Sequence, residues 1–294
     1  MTEQKIFFIT DSACDIPPQE EAQLDNLCIL PIPVTADGEG YYERESFTAE
    51  EFYDLIERCK EIPVTSHIPS ITFQERYGQA WEKGYTHLVV LTIYSGASSM
   101  YHSALMAKDA FLEEHPGAMT IEVIDSKTYT YIYGHIVVKA AEMREQGESF
   151  DAIVSVVKSR LNRVEAYLGV YSLKFLKKSG RISGGAAFVG EALGLKPISH
   201  VYDGAVKVCD KVRGEKALVA GISKKVSARV VQPDKQTAIL LYGDVPAERL
   251  DEMEKRLRTE IGFRDVERVA IGPSVLTNTG PLAMAVAYYG TPRD

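Results

Sequence analysis

The sequence lacks the features that several large functional classes require. No apolar run is long enough to cross a bilayer, and residues 1–5 lead into a strand pattern without a signal-peptide pattern. Lys and Arg together number 33 against 41 Asp and Glu, which gives a formal charge of −8. A nucleic-acid-binding groove is therefore not expected. These absences predict a cytoplasmic protein with no transmembrane segment and no nucleic acid as a partner.

Cysteine and glycine show none of the spacings typical of a metal or cofactor site. The chain has no Walker motif, and its glycines between residues 180 and 194 do not fit the dinucleotide-binding fingerprint. No close cysteine pair predicts a zinc or redox site, and we interpret the cysteines as buried small side chains in a reducing compartment. The 4 cysteines are Cys14, Cys28, Cys59 and Cys209. The sequence predicts neither a metal nor a cofactor.

The most informative stretch that is present is a serine-rich turn at residues 95–99. It follows an apolar run at 86–92 that is typical of a buried parallel strand, and it precedes residues 100–114, which have helical spacing. Such a turn places hydroxyl and backbone N–H groups at a helix N-terminus, which favours an anion. Two interpretations stay open: Ser98 or Ser99 only caps the helix, or the turn contacts a ligand.

Repeated strand–helix units organise the first half of the chain. Strands are predicted over 5–10, 27–34, 86–92 and 119–125, and helices over 48–60, 70–81, 100–114 and 130–145. This alternation predicts an α/β domain with a mostly parallel, helix-flanked sheet. The second half mixes a hairpin that turns at Asp203-Gly204 with helices and strands, which predicts a mixed or antiparallel α+β layer. We place the two domains at residues 1–149 and 150–294.

Other polar residues extend the candidate site. Two prolines at 63 and 69 fix an extended loop that carries Thr65, and the strand ends at Asp11-Ser12 and Asp125-Ser126 resemble each other. A hydroxyl-rich site suits a single carboxylate or phosphate held by neutral donors. We expect the rest of such a ligand to occupy an apolar pocket at the domain interface.

Two other functions stay open on the residues alone. A serine-dependent acyl hydrolase would need a base near Ser95, and His67 or His102 could supply one, although the Gly-x-Ser-x-Gly elbow is absent. A binding module for another anionic amphiphile, such as a lipid phosphate, fits the same hydroxyl groups.

A set of short motifs runs in order across nearly the whole chain. The motifs are Thr10-Asp-Ser12, Val64-Thr-Ser66 with Pro69-Ser70, Ser95-Gly96 with Ser103-Ala104, Val123-Ile-Asp-Ser126, Lys178-Ser-Gly-Arg-Ile-Ser183, Gly194-Leu-Lys-Pro-Ile198, Val212-Arg213 with Lys216-Ala217, and Ile271-Gly272 with Gly280-Pro281. Each motif alone is weak. The ordered set resembles the DegV family of fatty-acid-binding proteins, which includes the binding subunits of bacterial fatty-acid kinase.

The resemblance implies a two-domain α/β protein that encloses one long-chain fatty acid in an apolar tunnel between the domains and performs no chemistry alone. Thr65 and Ser95 would hold the carboxylate. In kinase-linked members a separate ATP-dependent kinase subunit phosphorylates that carboxylate for phospholipid synthesis, and Arg181 would lie where this partner docks. The ligand-binding residues predicted from the resemblance are Thr65, Ser95, Gly96, Asn278 and Arg213.

The chain departs from the family pattern at residue 278. The family commonly has a histidine there, then one residue, then Gly-Pro-Gly, whereas this chain reads Asn278-Thr-Gly-Pro-Leu282. An asparagine donates or accepts hydrogen bonds but cannot carry a positive charge. The departure therefore bears on the kinase role more than on lipid binding.

Overall fold

Two large β-sheets and a small third sheet form the frame of the molecule. The structure is a computed structural model that describes residues 4–171, 174–180, 182–183 and 194–293. Within those residues the sheets have four, seven and three strands. The four-stranded and three-stranded sheets come from the first half of the chain, and the seven-stranded sheet comes from the second half.

The first half of the chain alternates strands and helices as the sequence predicts. Its strands are β1 (Ile6–Asp11), β2 (Leu27–Leu30), β3 (Pro33–Ala36), β4 (Glu39–Tyr42), β5 (Val64–Thr65), β6 (His87–Thr92) and β7 (Thr120–Asp125). Its helices are α1 (Pro18–Glu21), α2 (Ala49–Arg58), α3 (Ser70–Glu82), α4 (Met100–Glu114), α5 (Tyr131–Glu145) and α6 (Phe150–Leu161). The large sheet of this half is parallel throughout, in the order β2-β1-β6-β7, and α4 and α5 pack against it. The prediction of a parallel, helix-flanked sheet is confirmed.

The single strand predicted over 27–34 is wrong, because the structure divides it between two sheets. β2 is an edge strand of the parallel sheet, as its neighbouring prolines indicate. After Pro31 the chain enters β3, which pairs with β4 and β5 in the small antiparallel sheet. A proline cannot donate a ladder hydrogen bond, so the chain leaves one sheet before it joins the next.

The second half builds a mixed sheet in the order β13-β12-β14-β8-β10-β11-β9. Its elements are β8 (Val164–Val170), α7 (Lys174–Ser179), β9 (Ile182–Ser183), β10 (Leu195–Tyr202), β11 (Ala205–Arg213), α8 (Glu215–Ser227), β12 (Thr237–Tyr242), α9 (Ala247–Arg256), β13 (Asp265–Ala270), α10 (Pro273–Thr279) and β14 (Ala283–Tyr289). The β12–β13 and β9–β11 pairs are parallel, and the other pairs are antiparallel. The predicted mixed α+β layer and its hairpin turn at Asp203-Gly204 are confirmed.

The seven-stranded sheet separates two apolar clusters. On one face, Tyr167, Val286 and residues of α8 and α9 form a compact cluster. On the other face, Ala166, Leu168 and Ala285 join a larger cluster that continues into the parallel sheet. This alternation along β8 and β14 follows the two-residue period of a strand. The larger cluster therefore lies between the two large sheets.

The predicted division between residues 149 and 150 falls at the start of α6. The first residue of this helix contacts the first half of the chain: the Phe150 ring lies 4.8 Å from that of His87, and its backbone N–H donates to Gln4. Lys158 forms an ion pair with Glu122 of β7. The helix thus packs on the parallel sheet, and the domain boundary stays a prediction.

The cysteines lie in different environments. Cys14 is buried, Cys28 and Cys59 are half-buried, and Cys209 is exposed. All of them are free. The prediction of buried small side chains holds for Cys14 and is wrong for Cys209, which lies at the register shift in β11. Among the described residues no helix has the length and apolar character needed to span a membrane.

Candidate functional site

A cavity of about 600 Å³ lies within the larger apolar cluster, between the two large sheets. Its wall combines residues of both halves of the chain. The apolar lining residues are Ile32, Ile93, Met100, Ile132, Ala166, Leu168, Leu176, Val201, Val206, Leu241, Ile271, Val275 and Ala285. A volume of this size is typical of a site for a small organic ligand.

Small side chains on the seven-stranded sheet leave this space open. Alanines occupy alternate positions 283, 285 and 287 of β14, and Ala166 of β8 pairs directly with Ala287. Side chains at alternate positions share one face, so this part of the sheet presents methyl groups toward the parallel sheet. The sequence analysis missed this signal, since it assigned no element to residues 282–289.

The polar part of the wall consists of neutral groups and one imidazole. Hydroxyl groups come from Thr65, Ser66, Ser95 and their neighbours, and His67 supplies the imidazole. Among the described lining residues none is Lys, Arg, Asp or Glu. An anionic head group would therefore meet no lysine or arginine on the described part of the wall.

The structure brings four of the five predicted ligand-binding residues to this one cavity: Thr65, Ser95, Gly96 and Asn278. Thr65 lies on β5, where the loop between two prolines pairs with Val34 of β3. Its side chain is half-buried, and its hydroxyl makes no hydrogen bond to any described residue. This hydroxyl is available as a donor.

Ser95 lies in the turn between β6 and α4, as predicted, and is fixed by the end of the next strand. Its hydroxyl donates to Asp125 Oδ2 at 2.5 Å, and its backbone N–H donates to Asp125 Oδ1 at 3.0 Å. The adjacent strand ends of β6 and β7 make this contact possible. The neighbouring Gly96 permits close approach of Tyr94, because a Cβ at residue 96 would lie 2.5 Å from that ring.

The helix-capping interpretation of the serine turn finds little support. Ser99 occupies the N-cap position of α4, and its side chain makes no capping hydrogen bond. Ser98 Oγ accepts from the Met100 N–H at 3.4 Å. Both serines line the cavity instead.

Asn278 lies in the last turn of α10, a helix that the sequence analysis missed. Its Nδ2 donates to the Ser274 carbonyl at 2.9 Å and to Thr277 Oγ1 at 3.0 Å. The helix begins at Pro273, where the fixed φ of proline favours a first turn. That proline after Gly272 was the available sequence signal.

Arg213, one of the two predicted arginines, does not line this cavity. Arg213 is the last residue of β11, is exposed and pairs with Leu195 across the hairpin; it is not among the lining residues. A long side chain at the end of an outer hairpin strand remains in solvent, so the structure does not support a head-group contact for it. Arg181 lies outside the described residues.

The strand end at Asp11-Ser12 has a structural role. Asp11 accepts hydrogen bonds from the Tyr133 hydroxyl at 2.6 Å and from the Ile93 N–H at 2.8 Å. The Ser12 hydroxyl donates to Glu43, which also accepts from the hydroxyl and N–H of Ser274. These bonds connect the parallel sheet, the β3–β4 hairpin and α10. They hold α10 against the cavity.

Burial dominates the protonation of these carboxyl groups. It raises the pKa of Asp11 to about 6, although the bonds from Tyr133 and Ile93 oppose the change. Burial also raises the pKa of Glu43 above its usual range, against the hydrogen bonds from Ser12 and Ser274. Neutral donors do not compensate fully for removal of a carboxylate from water.

The arrangement suits binding better than hydrolysis. Among the described residues no histidine is hydrogen-bonded to Ser95, whose hydroxyl proton is directed to a carboxylate. A nucleophilic serine needs a base in hydrogen-bond contact. The described residues also contain no group of three or more His, Cys, Asp or Glu side chains placed to hold a metal. The site is an apolar cavity whose wall also carries hydroxyl groups.

The fold and the cavity define a class of two-sheet α/β proteins that enclose an apolar space between the sheets. The sequence model of the DegV family, described as "Uncharacterised protein, DegV family", matches residues 5–291. A DegV domain-containing protein of Caldanaerobacter subterraneus subsp. tengcongensis is 31% identical over 285 residues, which cover 97% of this chain and 99% of the relative. The chain belongs to the DegV family, and the resemblance stated from its motifs is confirmed.

Solved structures with fatty-acid-binding descriptions share this fold. A DegV family protein from Thermus thermophilus, described by its fatty acid binding, superimposes with a TM-score of 0.86 at 26% identity and covers 98% of this chain and 100% of its own. A stearic acid-binding protein from Eubacterium ventriosum gives a TM-score of 0.84 at 26% identity and covers 97% of each chain. The predicted DegV-like α/β fold, with a parallel helix-flanked sheet and a mixed sheet, is confirmed.

Proposed function

We propose that this protein binds one long-chain fatty acid in the cavity between its two large sheets and does not itself catalyse a reaction. The observation that carries the proposal is the position of Thr65 and Ser95, 30 residues apart in the chain, on the wall of one apolar cavity. The fatty-acid-binding relatives with the same fold support it. We also propose a cytoplasmic location, since that is where free cysteines persist.

The division of binding energy follows from the chemistry of the wall. Burial of the tail contributes about 0.8 kcal/mol per methylene, so the tail dominates the affinity. The head group lies near Thr65, Ser95, Gly96 and Asn278. Each hydrogen bond to a charged head contributes about 1–3 kcal/mol. The tail thus determines how tightly the ligand is held, and the head determines its orientation.

Mass spectrometry of a solvent extract from the purified protein tests the proposal directly. We expect a long-chain fatty acid in about equimolar amount. Protein that emerges lipid-free and takes up no long-chain acid would contradict the proposal. Displacement of the acid by a lipid phosphate would show instead that the site prefers another anionic amphiphile.

The Thr65→Ala variant tests the assigned head group. We expect fatty-acid affinity to fall by about 1–3 kcal/mol, because one hydrogen bond to a charged group is lost. Thr35→Ala is the matched control, since Thr35 is an exposed threonine of β3, which pairs with β5, and does not line the cavity. Calorimetric titration of both variants measures the difference. Equal affinities would remove Thr65 from the site.

We further propose that the bound carboxylate is presented to an ATP-dependent kinase subunit, which forms an acyl phosphate for phospholipid synthesis. Support comes from the family resemblance and from the cavity wall, where Ser66, His67, Gly96 and Ser99 are exposed. Arg181 is the proposed docking residue. Capture of the acyl phosphate as a hydroxamate, with purified kinase subunit and ATP, tests this step, and Arg181→Ala should reduce it while fatty-acid affinity stays unchanged.

A further inference from the structure

The hydroxyl of Ser95 has its single proton directed away from the cavity. It donates to Asp125 Oδ2 at 2.5 Å. Asp125 Oδ1 accepts from two backbone N–H groups, those of Ser95 and Lys127, each at 3.0 Å. These three bonds fix the carboxylate behind the serine turn. A serine hydroxyl has one donor hydrogen, so in this arrangement Ser95 offers the cavity only acceptor lone pairs.

A second hydroxyl of the cavity wall has the same orientation. Ser274 Oγ donates to Glu43 Oε2 at 2.5 Å, again a carboxylate on the side away from the cavity. The two Nδ2 hydrogens of Asn278 point to groups of its own helix. Among the described lining residues no lysine or arginine compensates a negative charge. An ionised head group at this site would therefore have the Thr65 hydroxyl as a neutral donor, while Ser95 itself would present an acceptor backed by a carboxylate.

We infer that the fatty acid enters the site together with one proton, which is shared along the line Asp125–Ser95–head group. This inference rests on the proposed function. With the proton on the head group, the acid O–H donates to Ser95 Oγ and Ser95 donates to Asp125. With the proton on Asp125, its O–H donates to Ser95 Oγ and Ser95 donates to the ligand carboxylate. Both arrangements hold one proton more than the ionised acid and ionised Asp125, and it comes from the buffer.

Asp125 is thus a positioning residue that selects the protonation state of the ligand. The other titratable groups close to this line are Tyr94, Lys127, Tyr129 and His67. Lys127 Nζ is directed to Asp203 at 3.2 Å, and the Tyr129 hydroxyl donates to the Gly204 carbonyl at 2.8 Å. Tyr94 packs against Gly96 and Gly204. His67 lines the cavity and is exposed, so the experiment must separate its proton from that of Asp125.

Isothermal titration calorimetry with dodecanoic acid counts the proton. Titrations at pH 8 in buffers of different ionisation enthalpy give the number of protons taken up for each ligand bound. We expect a value near one for the wild-type protein. Its Kd should also rise about tenfold for each pH unit between pH 6.5 and 8.5, because a carboxylic acid with a pKa of about 4–5 is almost fully ionised there. Dodecanol, which cannot ionise, should bind with no proton uptake.

The Asp125→Asn variant assigns the proton to this line. Its Oδ1 keeps both backbone bonds, while its Nδ2 donates to Ser95 Oγ and directs the serine proton to the ligand. We expect proton uptake near zero and a Kd for dodecanoic acid that is constant between pH 6.5 and 8.5. His67→Gln should retain the uptake. Asp37→Asn is the matched control, since Asp37 also accepts two backbone N–H bonds and does not line the cavity.

The outcomes separate the inference from the proposed function. No binding of dodecanoic acid or longer acids at any pH would contradict the proposed function. Binding with zero uptake and a flat pH profile would overturn the inference alone and show that Ser95 turns its proton to the ligand. Uptake that persists in Asp125→Asn or vanishes in His67→Gln would overturn the role of Asp125. If Asp125→Asn does not fold, the wild-type proton count and its loss in Ser95→Ala still decide the question.

Discussion

Buried carboxylates on the two sides of the seven-stranded sheet lie next to opposite kinds of partner. On the face covered by α8 and α9, the Glu165 side chain is 1% exposed and meets a guanidinium and an imidazole: Arg229 donates to it at 2.7 and 3.0 Å, and His200 Nε2 lies 2.8 Å away. On the cavity side, Asp11 and Glu43 meet hydroxyl and backbone N–H groups. Glu165 retains its charge, while burial favours the neutral acid form of Asp11 and Glu43.

The difference in partners explains how the fold keeps an apolar cavity close to acidic residues. Burial would raise the pKa of Glu165, but the hydrogen bonds from His200 and Arg229 outweigh it and hold the pKa at about 2. Asp11 has no such partner, so burial raises its pKa to about 6. The packed face is stabilised by an ion pair and the stacked rings of Tyr167 and His200, 4.7 Å apart. The cavity face is left uncharged and open.

The largest expected effect comes from removal of the cation on the packed face. Arg229→Ala should lower the free energy of unfolding by roughly 3 kcal/mol, because it leaves the buried Glu165 carboxylate without its cationic partner. Urea denaturation followed by circular dichroism measures the change. A loss below about 1 kcal/mol would show that His200 alone compensates Glu165.

Glu165→Gln tests the other member of the same ion pair. The Arg229 side chain is 43% exposed and can be hydrated when the carboxylate is neutralised. We therefore expect a smaller loss for Glu165→Gln than for Arg229→Ala. The reverse order would contradict the assignment of Glu165 as the group that cannot reach water.

The next effect is a pH dependence of stability, which has opposite signs for Asp11 and Glu165. Asp11 has a raised pKa in the folded protein, so its contribution is present below pH 4 and is lost as the pH rises through about 6. The difference between the usual pKa of an aspartate and the value of about 6 for Asp11 corresponds to about 3 kcal/mol. Glu165 has a lowered pKa, so its contribution is present above pH 4.5 and is lost as the pH falls toward 2.

Asp11→Asn isolates the cavity-side contribution. We expect the decline in stability between pH 4 and pH 7 to become shallower by up to about 3 kcal/mol, since Asn cannot ionise. Urea titrations at intervals across this range measure it. Asp37→Asn should follow the wild-type curve, because backbone hydrogen bonds from Lys60 and Glu61 lower the pKa of Asp37 and keep its titration below this range. Parallel curves for wild type and Asp11→Asn would refute the raised pKa.

The smallest expected effect is a change in fatty-acid affinity with little change in the stability of the protein. Ala285→Leu adds apolar atoms to the cavity wall and should weaken fatty-acid affinity by about 2 kcal/mol, because it displaces two or three methylenes of the tail. The free energy of unfolding should change little, since the added atoms fill empty space. Calorimetric titration and urea denaturation measure the two quantities.

Ala238→Leu is the matched control on the packed face. Ala238 is fully buried in the cluster with α8 and α9, so extra atoms there should cost about 1–3 kcal/mol of stability. Its effect on binding should be negligible. Equal effects of the two substitutions on stability would mean that the cavity face is packed as tightly as the other.

Much of the fold and part of the candidate site could be predicted from local sequence patterns. The Thr48–Glu51 capping box begins α2, and the apolar spacing at 100–114 gives α4, since both signals act within one helix. The ordered motifs indicated Thr65, Ser95, Gly96 and Asn278, which line one cavity. Arg213 was indicated by the same reasoning and lies elsewhere, because a motif records sequence order and not the direction of an exposed side chain.

The sequence by itself determined the alternation of strands and helices, the parallel character of the first sheet and the serine turn, because hydrophobic period, prolines and caps are local properties. The tertiary structure decided the rest. It divided residues 27–36 between two sheets, placed the alanines of β14 opposite the parallel sheet and brought Asp125 to Ser95 across adjacent strand ends. The cavity and the direction of the Ser95 hydroxyl proton depend on which side chains come into contact. Residues distant in the chain come into contact only when the sheets pack.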